Sequence, residues 1–169
     1  MAFETINLLI DLISTELDMP EGRCAIYNQR RILQQTDDMF ITLQFLSSRV
    51  YANNVRYYKH ATTGQEMEYQ SSCIKESYQI DVFSRNQEAL RRKHEVLFAL
   101  RGTRSIQLQE KYGFQIPPIT ASFIDVSAIE GTARLNRYAL RMSVLRSYDK
   151  TKPVDYYSTF NPTEVTNNQ

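Results

Sequence analysis

The sequence predicts an α/β (α+β) fold, a small and mostly antiparallel sheet with helices packed on it and an extended β-hairpin arm. Three observations predict it. Residues 3–17 repeat apolar side chains at helical spacing; 38–48, 78–82 and 138–148 alternate as half-buried strands do; and 50–72 is a polar, tyrosine-rich run around a turn signal. A chain of 169 residues, 42% of them hydrophobic, can fill one core. The expected organisation is one domain over 1–150, with the arm at about 50–70, and an extended polar segment over 151–169.

Taken in order, Ile6, Leu9, Ile10, Ile13 and Leu17 line one face of the first helix, and Leu8 and Leu12 widen it. Met19-Pro20 and Gly22 end it. In DMFITLQFLSS (38–48), Ile41, Leu43 and Phe45 alternate with Thr42 and Gln44. ATTGQ then separates NVRYYKH from EMEYQ, a hairpin with its tip near Gly64. Such an arm adds little to a core and is marginal in isolation, so it calls for a neighbour.

ESYQIDVFSRNQEALRRKHEVLFALRG (76–102) reads as a strand feeding a helix that runs to Gly102. Ser84 and Gln87 have capping-box spacing. Ala89, Leu90, Val96, Leu97 and Leu100 share one helix face, Lys93 interrupts it and has to snorkel or find a partner, and Phe98 points outward. A short helix is expected over 103–113, and Pro117-Pro118 precede a strand at 119–129. EGTARLN connects it to the strand 138–148, which lies near enough to pair with it antiparallel. The piece around Val154–Phe160 extends the sheet or leaves the body.

Chemistry-bearing motifs are missing from the sequence. His60 and His94 stand without metal-ligand spacing, five glycines form no phosphate-binding loop, and Asp37-Asp38 and Glu66/Glu68 lie in wet segments. The expectation is therefore no enzyme, no metal and no cofactor. Cys24 and Cys73 share no short spacing, so two free thiols in a reducing compartment are expected. With neither a leader pattern nor a long apolar run, the chain is expected to be a soluble intracellular product. Twenty Lys and Arg against 19 Asp and Glu give no global pull toward DNA or an anionic membrane. A local excess of four positive charges does occur over 85–104, where Arg85, Arg91, Arg92, Lys93, Arg101 and Arg104 face Glu88 and Glu95. It reads either as a helix face with an Arg91–Glu95 pair, as salt bridges to a neighbouring subunit, or as a phosphate-backbone track.

Assembly is the remaining class. Its candidate contact residues are Tyr57, Tyr58, Met67 and Tyr69 on the arm, with Arg91, Arg92 and Phe98 on the helix.

Tyr78, Ile80, Asp81, Val82 and Phe83 before the helix, Gly113 and Ile116 after it, and Arg137, Leu140, Met142, Val144 and Tyr148 in the last strand form a pattern. In that pattern and in element order over about 1–150, the chain resembles the tail-terminator, or neck-terminator, proteins of long-tailed bacteriophages. The resemblance implies a virion structural protein, found in the host cytoplasm during assembly, that closes into a homo-oligomeric, hexameric ring. Such a ring caps the tail tube protein, ends tail polymerisation and joins the head–tail connector or stopper protein. It also meets the sheath protein in contractile tails, and DNA passes through its lumen without specific binding. The family supplies no catalytic residues. The long polar hairpin at 55–70 and the end at 153–169 depart from many relatives. The alternatives are another head–tail joining protein (head-completion or stopper) or a small DNA-binding protein.

Overall fold

The computed structural model describes residues 2–27, 38–130 and 133–154. Its fold is mixed α+β, with helices packed on a mostly antiparallel sheet. In chain order the elements are α1 (Ala2–Glu16), β1 (Cys24–Ile26), β2 (Phe40–Lys59), β3 (Glu66–Ser84), α2 (Glu88–Arg92), α3 (Glu95–Arg101) and α4 (Thr103–Tyr112). They continue with β4 (Phe114–Gln115), β5 (Ile124–Asp125), β6 (Ala128–Glu130) and β7 (Ala133–Pro153). The sheet order is β1-β2-β3-β7-β4, and β5 and β6 also pair with β7. β1 lies parallel to β2, and every other pairing is antiparallel.

One face of the sheet carries the core. Ile6, Leu9, Leu12, Ile13 and Leu17 of α1 and its end pack with Ile41 and Leu43 of β2, Tyr78, Ile80 and Val82 of β3, and Leu140, Met142 and Val144 of β7. Val96, Ala99 and Leu100 of α3 complete this layer. The alternation read in 78–82 and 138–148 is what buries these side chains, because successive residues of a strand point to opposite faces. In α1 the buried stripe runs through Leu12, while Ile10 sits at its flank. The helix ends on Asp18, a non-glycine residue at φ 51°, where the Met19 N–H returns to the Ser14 carbonyl at 2.8 Å.

Several expectations need correction. The helix expected from 85 to 102 is two short helices. At the break Lys93 turns back, with Nζ 4.1 Å from the centre of the Tyr138 ring, a cation–π contact. Leu90 therefore does not continue the stripe and is exposed. The Ser84/Gln87 capping box does not form. Ser84 Oγ instead accepts from the Ala89 N–H at 3.0 Å and donates to the Asn86 carbonyl at 2.7 Å, while Asn86 Oδ1 accepts from the Glu88 N–H at 2.7 Å. Gly102 is extended rather than left-handed and joins α3 to α4. A Cβ there would come within 3.1 Å of the Phe98 carbonyl, which is why glycine suits the joint. The left-handed C-terminal residue is Gly113, at φ 64°, after α4. The strand expected over 119–129 shrinks to β5 and β6. Both pair antiparallel with β7, so the pairing is as expected though the length is not. Ala133–Asn136, read as connection, already belong to β7.

The largest difference is the arm. β2, β3 and β7 are 20, 19 and 21 residues long, where strands of about 5–6 are usual. At about 3.3 Å per residue, β2 spans roughly 65 Å. The hairpin expected over 50–70 is the far half of one ladder that begins in the core. Its tip is at Gly64, φ 69°, as expected. β7 adds a third strand as far as Pro153, so Thr151–Pro153 lie in the sheet and not in a polar tail. Residues 155–169, including most of the expected tail, lie outside the described residues.

Candidate interaction surfaces

β2 has two bulges, one between Phe45 and Ser47 and one between Val50 and Ala52. Each inserts a residue that faces no partner and resets the alternation by one position. With that correction the arm has two faces. The face continuous with the core carries Val50, Asn53, Val55, Tyr57 and Lys59 on β2. Beside them are Glu66, Glu68, Gln70, Ser72, Ile74 and Glu76 on β3, and Arg146, Tyr148, Lys150 and Lys152 on β7. The far face carries Arg49, Ala52, Asn54, Arg56 and Tyr58, then Met67, Tyr69, Ser71, Cys73 and Lys75, then Ser147, Asp149 and Thr151.

Of the arm candidates, Tyr57 is 66% exposed and lies on the helix-side face. Tyr58, Met67 and Tyr69 lie on the far face, where Tyr58 and Met67 are paired across the strands. The four residues thus divide between two surfaces. Val50, Tyr51 and Val55 are also exposed beside them. Sequence reading missed these three because the two bulges hide the period that would have flagged them.

The helix candidates separate too. Phe98 is 75% exposed, as expected of an outward aromatic. Arg91 is exposed. Arg92, expected outward, turns inward: it bonds Glu95 Oε2 at 2.9 Å, Glu88 Oε1 at 3.1 Å and the Leu17 carbonyl at 3.0 Å. Partial burial works against its charge, but these two carboxylates win and push its pKa upward. Glu95 accordingly pairs with Arg92 and not with Arg91. Arg101 is tied as well, with Nη2 2.7 Å from the Ile119 carbonyl. Arg92 therefore clamps α2, α3 and the end of α1 together. The arm tip and the helices lie beyond opposite ends of β3, which is 19 residues or about 60 Å long, so the two patches do not form one site.

Where the arm leaves the body, its polar groups are buried and bonded. The Tyr78 hydroxyl donates to Glu76 Oε2 at 2.8 Å, and Arg146 Nη1 donates to Thr5 Oγ1 of α1 at 2.7 Å. Burial, then Glu76, drive the Tyr78 pKa upward. On the far face of the body, Asp81 is fully buried and accepts from Arg137 Nη2 at 3.0 Å and from Gln79 at 3.1 and 3.2 Å. Further out, Ser71 and Tyr69 donate to Asp149 and lower its pKa. Towards the tip, Lys59–Glu66 at 3.6 Å and Lys152–Glu68 at 3.3 Å cross the strands.

Among the described residues no three His, Cys, Asp or Glu side chains converge on a point where a metal could sit. Burial, then Asp11, push the Cys24 thiol up to about 12, and Cys73 lies on the arm, so the two sit in different parts of the fold. His60 closes the arm turn, and His94 packs edge-on against Phe123 at 5.7 Å. No described helix is long and apolar enough to cross a membrane. No protein-family model matches the chain, and no curated protein matches its sequence.

Proposed function

We propose that this protein is a structural component of a phage neck. In this reading it forms a ring that caps the tail tube, ends tail polymerisation and joins the tail to the head connector. The observation that carries the reading is the three-stranded arm. From Phe45 to Lys59 every residue of β2 is exposed, so long ordered strands extend where there is no core to hold them. Exposed, hydrogen-bonded β structure with Val50, Tyr51, Val55 and Tyr57 on its surface suits a protein whose arm leans on a neighbour. Phe98 and Arg91 offer a second patch at the other end, and a ring needs two different surfaces that meet head to tail.

A DNA-reading helix is less favoured, because Arg92 and Arg101 are spent inside the fold. The test is assembly. Light scattering and electron microscopy of the purified full chain, alone and with tail tubes, are expected to give a closed oligomer that sits on tube ends. A strict monomer indifferent to tubes overturns the proposal. A ring that binds the connector and ignores the tube replaces it with a head-completion or stopper role.

A further inference from the structure

The two faces of the long sheet are charged differently. On the helix-side face of the arm four cations, Lys59, Arg146, Lys150 and Lys152, stand among three carboxylates, and two of the cations make cross-strand ion pairs. On β2, β3 and β7 the far face, from body to tip, carries the cations Arg137, Arg141, Arg49, Lys75 and Arg56 against Asp81 and Asp149, while beside β1 Arg23 is paired with Asp38. Asp81 is taken by Arg137, and Asp149 is held by Ser71 and Tyr69. Arg49, Lys75, Arg56 and Arg141 have no acidic partner among the described residues. Arg49 and Lys75 stand directly opposite each other on neighbouring strands. Like charges in that position destabilise a sheet, so this pair is held at a cost that a bound anion would relieve.

Between Arg141 and the Arg49–Lys75 row, Ser47, Ser77 and Ser143 lie side by side across all three strands. With Leu46, Arg141 and Met142 they line an open depression of about 300 Å³. Counting along β3, Lys75 is four residues from the Arg141 row and Arg56 a further six, so the cations span about 33 Å. That is close to one turn of a nucleic-acid duplex, about 34 Å.

We infer that this far face binds the phosphodiester backbone of double-stranded nucleic acid, with a phosphate seated at the serine row beside Arg141 and further phosphates on Arg49, Lys75 and Arg56. Serine hydroxyls and guanidinium groups donate to phosphate oxygens, and the small side chains let the backbone come close. The contacts assigned here are all to phosphates, which carry no sequence information, so binding is independent of sequence. An acidic protein surface is the competing occupant. The regular row of short hydroxyls between cations and the one-turn span favour a phosphate polymer. The inference does not depend on ring formation, since a single chain presents the whole surface.

The test is fluorescence anisotropy of a labelled mixed-sequence DNA duplex with the full chain at low ionic strength. Wild type is expected to bind regardless of sequence, with log K falling linearly against log salt. Removing two cations in Arg49→Ala/Lys75→Ala is expected to flatten that slope by about 1.8, at about 0.9 per lost phosphate contact. Ser77→Ala/Arg141→Ala is expected to weaken binding at least tenfold. Arg91→Ala/Arg104→Ala, on the helices, is expected to leave it unchanged. Circular dichroism confirms that each variant is folded. No binding by wild type, arm variants equal to wild type, or equal displacement by poly-glutamate at matched charge overturns the assignment. Because the assay reads one chain on DNA, a monomer that binds leaves this inference standing while the ring proposal fails.

Discussion

Removing the arm is expected to leave the body folded. Asn53 and Ser72 face each other across β2 and β3, so residues 54–71 can be replaced by an Asn-Gly turn that closes the ladder there. None of the core residues lies in the deleted stretch: the nearest are Leu43 on β2 and Tyr78 on β3. What is lost is partial burial. Val55 is 49% and Tyr57 66% exposed already, so each gives up a fraction of the roughly 1.5–3 kcal/mol that full burial provides. Against that loss, 18 residues no longer have to be ordered. The ladder bonds lost with them offset much of that gain, and the net change is expected to stay within about 2 kcal/mol. For a chain of this size that shifts Tm by less than about 8 °C. Thermal unfolding followed by circular dichroism measures it, and light scattering reports assembly. The expected result is a cooperative transition near that of the parent, together with loss of the ring assembly proposed above. Loss of cooperativity, or a fall of more than about 15 °C, would refute the separation of arm from core.

Asp81→Ala is expected to destabilise by about 2–4 kcal/mol in denaturant titration, below the cost of breaking a wholly buried pair because Arg137 reaches solvent once released. Arg92→Ala should cost about 1 kcal/mol, since its bonds are partly solvent-screened, while exposed Arg91→Ala should be silent in the same titration. The Asp149 carboxyl, lowered by Ser71 and Tyr69, contributes stability above its unfolded pKa and loses it as pH falls through the lower folded value. NMR titration should therefore place Asp149 below ordinary aspartates, and Ser71→Ala should bring it back up. Gly113→Ala is expected to cost about 1 kcal/mol from its left-handed backbone, although open space surrounds the position. A loss above 3 kcal/mol would mean that the added methyl meets something.

The parts of the fold that face the core could be read from the sequence because burial imposes a period. Residues 6–17, 78–82 and 138–144 put their apolar side chains where the spacing says. The arm could be read only in outline. β2 is exposed on both faces there and β3 mostly half-buried on both, so no alternation of apolar and polar residues marks them, and the insertions at Leu46 and Tyr51 shift the phase twice within one strand. Phe98 was legible because an aromatic on a charged helix face needs only local pattern. The inward turn of Arg92 was not, since it depends on where the end of α1 lies relative to α2. The cationic far face stayed hidden for the same reason as the arm. Arg49, Lys75 and Arg141 are far apart in the chain and meet only through strand register.

β3 pairs with β7 from Met67 to Ser84 without a single slip, and α2 begins at Glu88, after a bend of three residues. Mechanically that makes it a girder anchored at one end. Load on the outermost turn has an unbroken ladder to run along toward the body, where Arg92 ties α2, α3 and the end of α1 to one another.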